Sequence, residues 1–295
     1  MKARQTRADS FDYDLAFACS KGLLSPQQQG RLRAGAVAIA GCGGDGGLLA
    51  ERLARAGIGE LRLADPETFA IENTNRQFAA DADSMGRNKA EVVAEAVRRI
   101  NGDIRLLVYP EGVNDQNISA FVDGVTLAID EIEYSMPEIS LLLARASRQA
   151  GIPTIIGANV GFSANVFAFD PRGRTLEQHY IASGDALADG EKGALGQARA
   201  LCPRVPEYVE WANLMAVMRG ERPVPSVSQA VAAVAAVVSH EAVAHITGMR
   251  GLVFVPRYIE LDLYRRTMKV RRATGAGFYA SLLRCRLNTL VRTRG

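Results

Sequence analysis

Two short stretches of this chain combine residue types and spacing that suit chemistry on a phosphate. The run Gly41-Cys-Gly-Gly-Asp-Gly46 lies between an apolar segment and a segment with helical periodicity. Glycines there leave backbone amides and a helix N-terminus open to phosphate oxygens, without side chains in the way. Asp65 closes the next apolar run, about 20 residues downstream, where a carboxylate in a strand–loop–helix–strand unit accepts ribose hydroxyls. Gly41, Gly43, Gly44, Gly46 and Asp65 therefore predict a nucleotide with a free 2′-hydroxyl. NAD, FAD and ATP all satisfy that geometry, and the fold does not choose among them.

The next motifs choose. Asn73-Thr-Asn-Arg76-Gln77 is followed by Gly86-Arg-Asn-Lys89, which opens a helical segment. Arg76 offers a planar fork and Lys89 a compact charge, both suited to meeting charge that builds on phosphate oxygens and of no use to hydride transfer.

In order and spacing, Gly41-x-Gly-Gly-x-Gly46, Asp65, Asn73-x-x-Arg-Gln77 and Gly86-x-x-Lys89 resemble the signature of the E1-like adenylating superfamily (ThiF/MoeB/HesA-type, ubiquitin-activating-enzyme-like). The superfamily includes activators of sulfur-carrier proteins, ubiquitin activators and a tRNA threonylcarbamoyladenosine dehydratase. The resemblance implies ATP and Mg2+ as cofactors and an acyl-adenylate formed with release of pyrophosphate. It implies that Arg76 and Lys89 contact the phosphates, while Asn73 and Gln77 order the nucleotide and its loop. Asp130-Glu-Ile-Glu133 stands where relatives carry Asp-x-x-Asp, which makes Asp130 and Glu133 the implied magnesium ligands. Glu133 is one methylene longer than the usual residue and still suits Mg2+, which takes one or two carboxylates plus phosphate oxygens. Cys202 falls about where some relatives place a nucleophile, completing an implied catalytic set of Arg76, Lys89, Glu133 and Cys202.

The pattern bends in two places. Relatives place an arginine in the N-terminal helix, whereas residues 13–19 have none, leaving Arg7 or Lys21 as substitutes. The paired Cys-x-x-Cys motifs of zinc-binding relatives are absent, so no zinc is predicted. The implied partner is a small ubiquitin-like or sulfur-carrier protein or peptide, and the implied assembly is a homodimer. One alternative is a tRNA dehydratase, whose local sequence Glu72-Asn-Thr-Asn-Arg-Gln77 resembles closely; another is a nucleotide-binding recognition module with weakened catalysis.

Strands and helices must alternate to position these residues. Apolar runs at 36–40, 61–64, 104–109, 125–129 and 153–156 read as strands, and periodic segments at 48–56, 89–100, 117–122 and 137–150 as helices. The expected class is α/β: a Rossmann-like, mostly parallel sheet with helices on both faces, plus a C-terminal extension with a long crossover loop. Residues 1–34 form a helical lead-in, 35–170 the nucleotide-binding adenylation domain, and 171–225 the crossover region. Residues 226–295 supply a helix, strands that complete the fold, and a basic tail. Ser226 and Gln229 read as a capping box opening an apolar helix to 246, with a strand at 257–263.

Bulk properties exclude several classes. With 35 basic against 32 acidic residues and a net charge of +3, the chain is no dedicated nucleic-acid binder. Basic residues do collect at the end, from Arg265 and Arg266 through Lys269, Arg271, Arg272, Arg284, Arg286, Arg292 and Arg294. His240 and His245 resemble a zinc-protease pair, but their spacing turns them to different faces of a helix. The polar, charged N-terminus lacks an apolar signal core, and no apolar run reads as a bilayer span, so a cytoplasmic location without membrane contact is expected.

Overall fold

The computed structural model describes residues 11–182, 199–219, 221, 222 and 224–292. Strand β1 (Ala36–Ala40) is buried along its whole length. It needs cover on both faces and partners on both edges, which is why its sequence is apolar without alternation. Its partners are β2 (Glu60–Ala64) and β4 (Leu127–Asp130), both parallel to it. Outside these lie β3 (Arg105–Tyr109) and β5 (Thr154–Val160), also parallel to their neighbours. The strand order reverses beside β1, so β1 and β4 part at their C-terminal ends into the crevice where such folds bind ligands.

Helices begin where local chemistry allows. After α1 (Tyr13–Ala16), α2 (Pro26–Ala34) opens on a capping box between Ser25 and Gln28, with proline in its first turn. α3 (Gly44–Ala56) stops at Gly57, held at φ +90°, and α4 (Lys89–Ile100) is capped by the Asn88 side chain accepting from the Glu91 amide at 3.1 Å. α5 (Ile118–Val122) and α6 (Pro137–Gln149) complete the alternation.

From β6 (Ser163–Phe169) onward the sheet turns antiparallel, with β6 on β5, β7 (Arg257–Asp262) on β6 and β8 (Thr267–Arg272) on β7. All eight strands belong to one sheet, ordered β3-β2-β1-β4-β5-β6-β7-β8. Three further helices, α7 (Leu176–Ala182), α8 (Trp211–Met218) and α10 (Gly275–Arg292), and the strands β6 and β8 go beyond the sequence expectation. Residues 183–198 of the expected crossover loop lie outside the described residues, as do Arg7 and Arg294.

α9 (Ser228–Thr247) corrects two expectations. It begins one residue later than the capping box predicts: Val227 is its N-cap, no side chain caps it, and the Ser226 hydroxyl oxygen has no partner. The Ser226 carbonyl instead accepts from Asn75, which draws that residue toward the nucleotide loop. α9 is also long and apolar enough by composition to cross a membrane, contrary to the sequence reading, but it is two-thirds buried inside the fold against α3, β5 and β6. Arg31 ties its C-terminal end to α2, donating to the Thr247 carbonyl at 2.7 Å.

Candidate functional site

The glycine loop joins β1 to α3 and is shaped by close approaches. Gly41 sits at φ +93°, and a Cβ there would lie 2.2 Å from the Glu131 carbonyl oxygen. A Cβ on Gly46 would lie 1.9 Å from the Gly41 carbonyl oxygen, an overlap no side chain can occupy. Gly44 permits contact with α9, since its Cβ would stand 3.2 Å from the Val231 side chain. The loop delivers the first-turn amides of α3, which have no intrahelical acceptor, into the crevice beside β4.

Asp65 holds the loop from below. Its carboxylate accepts from the Cys42 amide at 2.6 Å and from the Glu67 amide at 2.9 Å, so it braces both the glycine loop and the turn after β2. Burial raises its pKa, with the two amides and Lys89 offsetting part of that rise. Asn88 braces the same turn by donating to the Asp65 carbonyl at 2.8 Å. Gln77 is buried beneath Gly43, whose Cβ would lie 3.5 Å from the Gln77 amide nitrogen, and the Gln77 Oε1 has no partner. Asn73 closes the turn before it, accepting from the Ala70 amide at 3.0 Å.

The two cations stand on one side of this loop. Lys89, 4% exposed, pairs with Glu67 at 2.5 Å, while Arg76 donates to the Glu72 carbonyl at 3.2 Å and the Asn75 side chain at 2.8 Å. Both act on the carboxyl of Glu133, whose pKa is nevertheless raised, first by desolvation and then by Glu67. Arg76, Lys89, Glu67 and Glu133 thus form one charged group beside the glycine loop.

Asp130 is buried at the end of β4. Its Oδ1 accepts from the Ile132 amide at 3.1 Å and the Ser140 hydroxyl at 3.2 Å, whereas Oδ2 has no partner. Burial pushes this carboxyl up to about 6. Two further acids, passed over in the sequence, close the crevice. Asp45, in the first turn of α3, accepts from Asn159 of β5 at 2.7 Å through Oδ2 and leaves Oδ1 enclosed without a partner. Glu131 lies against Gly157 of β5, where a Cβ would come within 2.6 Å of its unpartnered Oε1. Burial raises Asp45 to about 7, and Glu131 is pushed well up by burial, by Asp45 and by Asp130, with the Gly157 amide offsetting part of that rise. The sequence signal was available: an acid inside a glycine loop meant for an anion is a local conflict, and such conflicts mark sites.

No group of three or more His, Cys, Asp or Glu side chains suited to a metal occurs among the described residues. Magnesium needs fewer when phosphate supplies the remaining oxygens. Enclosed carboxylate oxygens without partners on Asp45, Asp130 and Glu131 are the donor chemistry it takes, so the residues fit the ion.

Cys202 sits in surroundings that keep its thiol protonated. Its thiol donates to the Arg204 carbonyl at 3.2 Å, and burial first, then Glu260, outweighs that bond and pushes the pKa up to about 12. A nucleophilic cysteine needs the opposite surroundings. Lys21 is exposed on the lead-in.

A doubly wound sheet, a glycine loop at the reversal of strand order and two cations beside it define a nucleotide-binding protein of the Rossmann-like class. The ThiF family model matches residues 16–277, and the chain belongs to that family. It is 36% identical over 126 residues to the tRNA threonylcarbamoyladenosine dehydratase of Escherichia coli, covering 42% of this chain and 46% of that protein. It is 31% identical over 150 residues to the SAMP-activating enzyme E1 of Haloferax volcanii, covering 51% and 55%. The chain spans about half the length of the curated relatives it matches. Among solved structures, PaaA superposes with a TM-score of 0.64 at 19% identity, covering 92% of this chain and 77% of that one. E. coli MccB, solved also with ATP and with MccA, superposes with a TM-score of 0.64 at 19% identity, covering 84% and 64%. These likenesses establish the shared fold.

Proposed function

We propose that this chain activates a carboxylate by adenylation: it binds ATP at the glycine loop and forms an acyl-adenylate with release of pyrophosphate. The observation that carries this reading is the placement of Arg76 and Lys89 together beside the open first turn of α3. In the reaction a substrate carboxylate oxygen attacks the α-phosphorus. The bond from that phosphorus to the bridging oxygen breaks, and pyrophosphate leaves with the electron pair. Negative charge accumulates on the phosphate oxygens, where fixed cations and amides act most strongly because they need no reorganisation. Lys89 exchanges the exposed Glu67 carboxylate for phosphate, a cheap exchange because Glu67 regains water. Asp65 keeps the loop amides aimed and offers its remaining lone pairs to the ribose. Buried carboxylates at and around the end of β4 would hold magnesium, which when bound would neutralise charge on the phosphates.

The substrate we favour is the C-terminal carboxylate of a small ubiquitin-like or sulfur-carrier protein or a peptide. Support comes from the extent of the fold likeness, since PaaA and MccB superpose on 92% and 84% of the chain. A second reading, a carboxylate carried on tRNA, is favoured by the relatives named dehydratases and by Arg284, Arg286 and Arg292 on α10. Both readings place the enzyme in the cytoplasm as a symmetric dimer, the common form of soluble oligomers. Carboxylate-dependent exchange of labelled pyrophosphate into ATP tests them: we expect exchange with a peptide or carrier-protein terminus. Exchange with modified tRNA alone selects the second reading. Absence of both exchange and ATP binding removes adenylation altogether.

A further inference from the structure

Two acids stand where the phosphates of a nucleotide are expected, and neither is explained by the structure of the protein alone. Asp45 lies in the first turn of α3, the pole at which an anion should bind, and Glu131 follows β4 across the crevice. Asp45 has a single donor, Asn159 at 2.7 Å on Oδ2. Its Oδ1 and the Glu131 Oε1 are enclosed with no partner. Asp130, 2% exposed and close enough to Glu131 to repel it, leaves Oδ2 in the same condition. Two carboxyl oxygens without donors in one crevice, with the Asp130 carboxyl close enough to add to the repulsion, are unstable company unless something positive sits among them.

The packing holds them there. Gly157 leaves room for the Glu131 side chain, and any Cβ at that position would fall 2.6 Å from its Oε1 and 2.5 Å from Val234 of α9. Glu131 is fixed from the other side as well, its amide donating to the Ala40 carbonyl at 2.8 Å. Among cationic side chains only Arg76 acts on Asp45, and none acts on Glu131. Glu133 has the reverse setting: it is exposed, and both Arg76 and Lys89 act on it, two positive charges that oppose a metal ion.

We infer that Asp45 and Glu131 hold the divalent cation that accompanies the nucleotide phosphates, with Asp130 behind them, in place of the Asp130–Glu133 pair that the family pattern implies. An oxygen-seeking ion bound by two carboxylates and phosphate oxygens gives Asp45 Oδ1 and Glu131 Oε1 the partner they lack and removes the conflict between Asp45 and an incoming phosphate. It also explains why both acids occur together. Either one alone at this point would only repel the nucleotide.

This inference rests on the adenylation reading for its nucleotide, so the experiment separates the two. Mn2+ is titrated into the intact chain and followed by electron paramagnetic resonance, with and without the α,β-methylene analogue of ATP. Analogue binding is measured separately by calorimetry, with and without metal. We expect one Mn2+ per chain in the presence of the analogue, weakened at least tenfold by Asp45→Asn and by Glu131→Gln, and changed less than twofold by Glu133→Gln. Thermal melting of the metal-free variants guards against misfolding, and both isosteric changes should leave it intact or raised because they remove repulsion. Loss of Mn2+ in Glu133→Gln with retention in Glu131→Gln overturns the inference, as does a folded chain that takes no Mn2+. Metal uptake that depends on Asp45 and Glu131 without any analogue binding would sustain the cation site and remove the adenylation reading.

Discussion

The two ends of the eight-stranded sheet treat buried polar groups in opposite ways. Around the glycine loop, Asp45, Gln77, Asp130 and Glu131 each keep an enclosed oxygen without a partner. Among the described residues, β7, β8, α8 and α10 carry no such atom. Glu260 on β7 instead accepts from Arg271 at 2.6 Å and from the Tyr258 hydroxyl at 3.3 Å, and Glu207 accepts from Arg265 at 2.6 Å. An unsatisfied buried oxygen costs about 1–3 kcal/mol, so four in one crevice are retained for something that binds there. The first region gives up stability for a ligand, whereas the second pairs its acids internally, leaves only the isolated Asn165 Oδ1 and Arg199 Nε without partners among its described residues, and serves as scaffold. Replacing polar side chains in the first region should therefore change activity more than stability, and replacing those in the second the reverse.

The largest expected effect tests the first half of that contrast. Lys89→Ala and Arg76→Ala should each lower pyrophosphate exchange about 1000-fold, the loss typical of removing a group that meets transition-state charge. Unfolding free energy should fall by less than about 1 kcal/mol in Lys89→Ala, because its partner Glu67 is 64% exposed and regains water. A large drop in melting temperature with exchange preserved would reverse the contrast. Gly46→Ala comes next. Its Cβ would fall 1.9 Å from the Gly41 carbonyl, so urea denaturation should show a loss of about 3 kcal/mol or more. Gly277→Ala in α10, whose nearest neighbour is the Thr274 hydroxyl at 3.3 Å, should be neutral or stabilising by about 0.5 kcal/mol.

The same contrast decided what could be read from the chain. β1, β2, β4 and the helices between them are legible because buried parallel strands are apolar throughout and their helices repeat with a clean period. The predicted helix at 89–100 coincides with α4. β8 is not legible: it is a sheet edge whose Met268 and Val270 remain exposed among Lys269, Arg271 and Arg272, so hydrophobicity carries no signal. In α10, buried Phe278 and Cys285 alternate with exposed Tyr279, Leu283 and Leu287, which blurs the helical stripe. The loop glycines and cations are legible as spaced motifs. Asp45 and Glu131 occupy the unspecified positions of those motifs, and their meaning depends on β5, which brings Gly157 and Asn159 against them from far along the chain.

In the second region, His179 on α7 should affect stability and leave exchange unchanged. It is 1% exposed between Phe167 and Phe169, and burial, with Arg174 adding, lowers its pKa to about 4. The unfolded chain then binds the proton more readily than the folded one. This contribution is fully present above about pH 6.5 and is lost as pH falls toward 4, a change on the order of 3 kcal/mol. His179→Gln should flatten that acid limb in pH-dependent urea melts, with exchange at pH 7.5 unaltered; an unchanged limb would place the titrating group elsewhere.

The smallest effect belongs to Cys202. A thiol pushed up to about 12 by burial carries almost no thiolate at neutral pH, and thiolate is the form that attacks an acyl-adenylate or an alkylating reagent. Iodoacetamide followed by mass spectrometry should therefore modify the exposed Cys19 well before Cys202. Cys202→Ser should change pyrophosphate exchange by less than about twofold, within the range expected of a substitution away from the chemistry. If Cys202 were instead alkylated as fast as Cys19, or if the serine variant formed adenylate but failed to pass its acyl group on, the scaffold region would contain reactive chemistry. The division between a ligand-binding half and a structural half would then fail at that residue.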